Sequence, residues 1–191
     1  MDPSVHLLFF EQSIGCETCA PTRRALEQIA REDGTVTVDT FNLVLDKDKA
    51  AEYGVDRVPA VIVQGADGGR IRYYGAPLGR ELSTLKEAIR LSAQGATSLT
   101  EQSRSALKTL HTPVVLKVFF TPTCVYCPQM ISLANQAAIE SPMVSAIAID
   151  ATEYPDLVRR HKVNGVPKIV INDTVEILGA IPEEDFIRAI T

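Results

Sequence analysis

The residues best suited to chemistry in this 191-residue chain are its four cysteines, which occur only as two C-x-x-C pairs, Cys16/Cys19 and Cys124/Cys127. That spacing serves a metal site, a structural bridge or a redox dithiol, so one pair alone does not choose among them. Each first cysteine follows an apolar run ("HLLFFEQSIGC" and "LKVFFTPTC"), and each second one opens a helix-like stretch. An i, i+3 pair at a helix start keeps both sulfurs on one side, within disulfide reach. The unpaired N–H groups there stabilise a thiolate, bringing the first thiol from ~8.5 to about 7 or below. Cys16 and Cys124 are therefore the expected attackers. Cys19 and Cys127 are expected to resolve the mixed disulfide into an intramolecular bridge.

The two motifs differ in what lies between the sulfurs. Glu17 opposes ionisation of Cys16, whereas Val125-Tyr126 adds no charge beside Cys124. The Cys124 centre is thus expected to be the more oxidising, and Tyr126 is a candidate wall of a substrate groove. Val58-Pro59 and Val166-Pro167 each stand at the mouth of a predicted strand, 43 residues after Cys16 and Cys124 respectively. A cis X–Pro bond suits such a turn and would present the preceding backbone to an extended peptide.

That shared 43-residue reach belongs to a longer repeat with an offset of 108. "YGVDRVPAVIV" falls on "HKVNGVPKIVI" without a gap, "YYGAP" pairs with "ILGAI" across a turn four residues longer in the first copy, and "HLLFF" pairs with "LKVFF". Gaps in turns with agreement in apolar runs are what a duplicated fold predicts. Unit one, 1–96, reads as strand Val5–Phe10, helix Cys19–Glu32, strand Val36–Asn42, helix Lys47–Tyr53, a hairpin of Ala60–Gln64 and Arg70–Tyr74 over Asp67-Gly68-Gly69, and helix Glu81–Ser92. Unit two, 97–191, reads as Val114–Phe120, Gln129–Ala138, Val144–Asp150, Pro155–His161, Lys168–Ile171, Val175–Leu178 and Glu183–Ile190. Each is β-α-β-α-β-β-α with a central mixed sheet flanked by helices, an α/β chain of two tandem units. "AQGATS" is a linker, and Thr100 is a predicted N-cap for an additional helix ending near Leu110.

Composition narrows the class. An apolar content of 46%, a charged content of 23% and a net charge of −5 describe an ordinary cored protein, without the basic surface that nucleic acid or an anionic membrane requires. No stretch approaches the ~18 apolar residues of a spanning helix, and the N-terminal apolar run is too short for a signal core. The expected location is the cytoplasm. Paired cysteines in a reducing compartment read as metal ligands or working thiols rather than static bridges.

These features resemble the thioredoxin/glutaredoxin superfamily. The doubled arrangement is similar to the glutaredoxin-like protein disulfide oxidoreductases, through "FFTPTCVYCP", "EYPDLVRRHKVNGVPKIVI" and "RYYGAPLGRE". The resemblance implies two thioredoxin-like units and reversible exchange with protein thiol and disulfide substrates, by oxidation, reduction or isomerisation. It implies Cys16, Cys19, Cys124 and Cys127 as redox residues, cis bonds at Pro59 and Pro167, no cofactor beyond the redox-active disulfides, and recycling by a thioredoxin-reductase-like flavoprotein. "CETC" is less typical of it than "CVYC", and the C-terminal centre is expected to dominate.

Rival readings make their own demands. A structural zinc centre would have to join pairs separated by 104 residues, far more than usual. A glutathione-dependent glutaredoxin fits "CVYC" and Lys168, but "INDTVEILGAI" lacks the Gly-Gly and Cys/Ser-Asp that hold glutathione. An electron relay to a peroxidase would keep only the second pair, and a chaperone module would need neither. His6, His111 and His161 are expected at the surface or at strand ends, "DKDKAAEYG" on a solvated helix face, and Phe9-Phe10, Phe119-Phe120 and Met130 in the core. Neither "HLLFF" nor "LKVFF" carries a buried acid, leaving Glu153 or water as the candidate proton acceptor.

Overall fold

A computed structural model describes residues 5–65 and 68–191; Asp67, assigned above to the hairpin turn, lies outside them. In chain order the elements are β1 (Val5–Glu11), α1 (Cys19–Glu32), β2 (Val36–Asn42), α2 (Lys47–Glu52), β3 (Ala60–Gln64), β4 (Ile71–Tyr74) and α3 (Glu81–Gln94). There follow α4 (Glu101–Lys108), β5 (Val114–Phe120), α5 (Cys127–Glu140), β6 (Val144–Asp150), α6 (Pro155–Arg160), β7 (Lys168–Ile171), β8 (Val175–Leu178) and α7 (Glu183–Ile190). The β-α-β-α-β-β-α order recurs, with α4 additional to the second copy. Strands match the sequence reading closely because apolar runs bounded by turns define them. Helix α5 starts two residues earlier than expected, at Cys127, since Pro128 is tolerated in a first turn where its missing N–H is not needed. Helix α4 ends at Lys108 rather than near Leu110, and the Thr100 hydroxyl accepts from Ser103 N–H as an N-cap.

Among the described residues all eight strands form one sheet, in the order β2-β1-β3-β4-β6-β5-β7-β8. The seam between copies is a parallel pair, with Ile71 opposite Ala146 and Tyr74 opposite Ile149. Alternate strand residues separate two apolar layers. Phe9, Val61, Tyr73, Val118 and Phe120 face α1, α3, α4, α5 and α7, while Phe10, Ile62, Tyr74 and Phe119 face α2 and α6. The predicted core residues Phe9, Phe10, Phe119, Phe120 and Met130 are all buried.

Across the seam α3 packs on α5, and one polar chain is buried with it. Asn135 Nδ2 donates to the Tyr73 hydroxyl, which donates to Thr84 Oγ1, which donates to the Glu81 carbonyl. Every member finds a partner, so the network fixes the seam without a desolvation penalty. Gly75, just beyond β4, is the tightest point. Its φ is +94°, and a Cβ there would come within 2.5 Å of Asp150 Cβ. Gly75→Ala is expected to cost about 2–4 kcal/mol from left-handed strain plus overpacking. A loss below about 0.5 kcal/mol in urea unfolding would show that the seam yields freely.

Candidate active site

Strand β1 feeds a short loop into Cys16, and β5 feeds one into Cys124, so both motifs lie at the same sheet end. Both pairs are disulfides, Cys16–Cys19 and Cys124–Cys127. In each, the first sulfur belongs to a part-exposed residue and the second to a buried one, Cys19 at 3% and Cys127 at 0% exposure. In each pair, then, the first sulfur is open to a target and the second can reach only its neighbour. Cys127 N–H donates to Cys124 Sγ at 3.1 Å, one of the helix-start donors that stabilise charge on that sulfur.

Val58–Pro59 and Val166–Pro167 are cis peptide bonds. The two proline carbonyls are held alike, Pro59 O by Gly75 N–H and Pro167 O by Gly179 N–H. Of the two, Pro59 O has a second donor, the hydroxyl of Tyr154 at 3.1 Å, reaching across from the other copy. Arg57, next to Val58, pairs with Asp56 and Asp156 and lies over the rings of Tyr74 and Tyr154. The first proline loop is thereby pinned to the second unit. Among the described residues, the loop at Pro167 has no such cover. Beside it Leu178 is exposed at 68%, its Cδ1 3.6 Å from where a Cβ on Gly165 would stand, and inside the second motif Val125 and Tyr126 are exposed at 63% and 65%.

Acidic groups depart from the sequence reading. Strand β1 runs one residue further than expected, so it does end on a largely buried acid, Glu11, but that carboxylate is paired with Arg23. Glu153 is also committed, accepting from Thr18 Oγ1 at 2.5 Å and from Ala76 N–H at 2.7 Å. The buried carboxylate left without a partner among the described residues is Glu81. It is fully buried, both oxygens lack hydrogen-bond partners, and burial pushes its carboxyl up to about 7. Strands β4, β5 and β6 run parallel, so α3 and α5 run parallel as well, and Glu81 begins α3 at the same end where Cys127 begins α5. No sequence signal separates Glu81 from an ordinary exposed first-turn acid.

Two other expectations are corrected. His161 is buried rather than superficial: it packs on the Phe119 ring at 5.4 Å, and burial with nearby Lys117 lowers its pKa. Lys168, which fitted the rival glutaredoxin reading, is buried and donates to the carbonyls of His161 and Lys162 while pairing with Glu176. It closes the end of α6. Among the described residues no group of three or more His, Cys, Asp or Glu gathers as a metal site, and no helix is long and apolar enough to cross a membrane.

C-x-x-C disulfides at helix starts, on a doubled α/β sheet with helices on both faces, define a protein of thioredoxin fold with two redox-type disulfides. The chain belongs to the thioredoxin domain family (Thioredoxin_3), which matches it twice, over residues 7–87 and 114–191. A protein disulfide oxidoreductase from Aeropyrum pernix K1 is similar in structure over all of this chain and 85% of its own, with a TM-score of 0.91 and 31% identity. The alkyl hydroperoxide reductase protein AhpF of Pseudomonas aeruginosa is 26% identical over 126 residues, or 66% of this chain, and this chain spans only 24% of that protein. A Methanocaldococcus jannaschii thioredoxin is 33% identical over 78 residues, 40% of this chain and 92% of its own length.

Proposed function

We propose that this protein exchanges disulfides with protein substrates through both centres, one in each of the units 1–96 and 97–191, and that the Cys124–Cys127 centre carries most of the turnover. The observation that carries this reading is the unequal surroundings of two otherwise equivalent disulfides. The second carries exposed Val125 and Tyr126 inside its motif, while the first carries a motif threonine bonded to Glu153 of the other unit, which also holds the Pro59 carbonyl through Tyr154. An extended substrate would lie along Val166-Pro167, as a lesser one would along Val58-Pro59, with its backbone paired to the loop.

In reduction the Cys124 thiolate attacks a substrate disulfide and one substrate sulfur leaves as thiolate. Cys127 then attacks Cys124, closing the bridge and releasing the second substrate thiolate. Cys127 must lose its proton inside the fold, and Glu81 is the acceptor in this scheme: buried, unpartnered, with a carboxyl near 7. The chemistry needs no cofactor beyond the disulfides, and a thioredoxin-reductase-like flavoprotein in the cytoplasm would return electrons to the pair. Catalytic amounts of protein should accelerate insulin reduction by dithiothreitol, and the variant with all four cysteines changed to serine should fall to background. Equal acceleration by that variant ends the reading.

A second reading, delivery of electrons to a hydroperoxide-reducing partner, is favoured by the match to alkyl hydroperoxide reductases of two Pseudomonas species. It predicts faster peroxide turnover when a two-cysteine peroxidase replaces insulin as acceptor.

A further inference from the structure

The Thr18 hydroxyl is in an unexpected place. Thr18 is the N-cap residue of α1, where a threonine oxygen ordinarily accepts from the N–H two or three residues on. It makes no such bond; it donates across the seam to Glu153 Oε2, at 2.5 Å. The other oxygen of Glu153 is held by Ala76 N–H, at the turn where Gly75 leaves no room for a side chain. Thus a carboxylate of unit two is clamped at both oxygens against the residue between Glu17 and Cys19. At the same offset of 108, Thr18 corresponds to Tyr126 and Glu153 to Leu45, both exposed, so the second centre has no equivalent.

We propose that Glu153 is a positioning residue of the first redox centre, contributed by the second unit, and that its fixed negative charge makes Cys16–Cys19 the more reducing pair. The inference rests on the reading of both pairs as redox centres. Reduction breaks the Cys16–Cys19 bond and takes two electrons and two protons from an external dithiol, whose sulfurs join as a disulfide. A carboxylate beside the motif disfavours the thiolate of the reduced form and so shifts that exchange toward the protein disulfide. Glu153 acts through Thr18 and through its charge, since both oxygens are already engaged.

The test uses the Cys124→Ser/Cys127→Ser protein equilibrated in dithiothreitol buffers, with the reduced fraction read by thiol alkylation and mass shift. Glu153→Gln should move the equilibrium constant about tenfold toward reduction, equivalent to ~30 mV. Thr18→Val, which frees the carboxylate from the motif, should move it the same way by a smaller factor, and Thr18→Ser should restore the original value. The Cys124–Cys127 pair, measured with Cys16 and Cys19 replaced, should stay within twofold of its value. A first-centre constant unchanged by Glu153→Gln, or both centres shifting together, overturns the proposal. If Glu153→Gln does not fold, an unchanged constant in Thr18→Val overturns it equally. A Cys16–Cys19 pair that never reduces in these buffers removes the redox reading of that centre and this proposal with it; a reducible but insensitive pair removes only the role of Glu153.

Discussion

Cys124→Ser is expected to lower insulin-reducing turnover on the order of tenfold or more, while Cys16→Ser keeps at least about half. The two substitutions are chemically identical, so the difference isolates surroundings from reactivity. Both thiols open onto helix starts and both have buried partners. What differs is the lining of the motif. A substrate chain approaching Cys124 meets exposed Val125 and Tyr126 inside the motif, apolar area worth roughly 25 cal/mol per Å² when covered. One approaching Cys16 meets exposed Ile14 in the loop before it, but inside the motif it meets Glu17 and a threonine already bonded to Glu153. Cys127→Ser should retain attack but not resolution, so a protein–substrate mixed disulfide should accumulate and be visible on non-reducing gels. Equal losses from Cys16→Ser and Cys124→Ser would refute the unequal division of labour.

The second large effect concerns Glu81. Its carboxyl, near 4.5 when unfolded, is pushed up to about 7 by burial in the folded chain. Between those values the folded state binds the extra proton, so stability falls as pH rises through that window. The contribution is fully favourable below about 4.5. Above about 7 the fold carries a buried, unpartnered carboxylate, a penalty of roughly 3 kcal/mol. Glu81→Gln is therefore expected to be more stable than the parent at pH 8 by about that amount, with little difference at pH 4.5, in urea unfolding at both values. The same variant should resolve mixed disulfides at Cys124 more slowly, by about tenfold or more, because a positioned proton acceptor has been removed. Unchanged release kinetics would dismiss Glu81 as the acceptor while leaving the stability result standing.

How much of this is legible in the chain alone differs with the range of the interaction. Strands such as Val36–Asn42 and Lys168–Ile171 are legible because alternation and apolar runs are local, and turn residues bound them. The redox pairs are legible because a helix start places i and i+3 together whatever surrounds it. The end of β1 reads one residue short, because Glu11 looks like a strand terminator until Arg23 pairs with it. His161 reads as a surface residue, because nothing local shows that α6 ends against Phe119.

Two copies of one fold, a dithiol at a helix start in each, and a Val-Pro turn at the same distance from both all follow from the order of residues alone. Repetition carries that information, and repetition survives in one dimension. Only in three dimensions do the copies share a single eight-stranded sheet through β4 and β6, and this sharing breaks their equivalence. Burying the seam strips Glu81 of water and partners, brings Tyr154 to the Pro59 carbonyl and sets Glu153 against Thr18. The last two contacts join residues 95 and 135 positions apart. Hydration and contact at such positions are set by whatever the fold brings alongside, which no local pattern encodes.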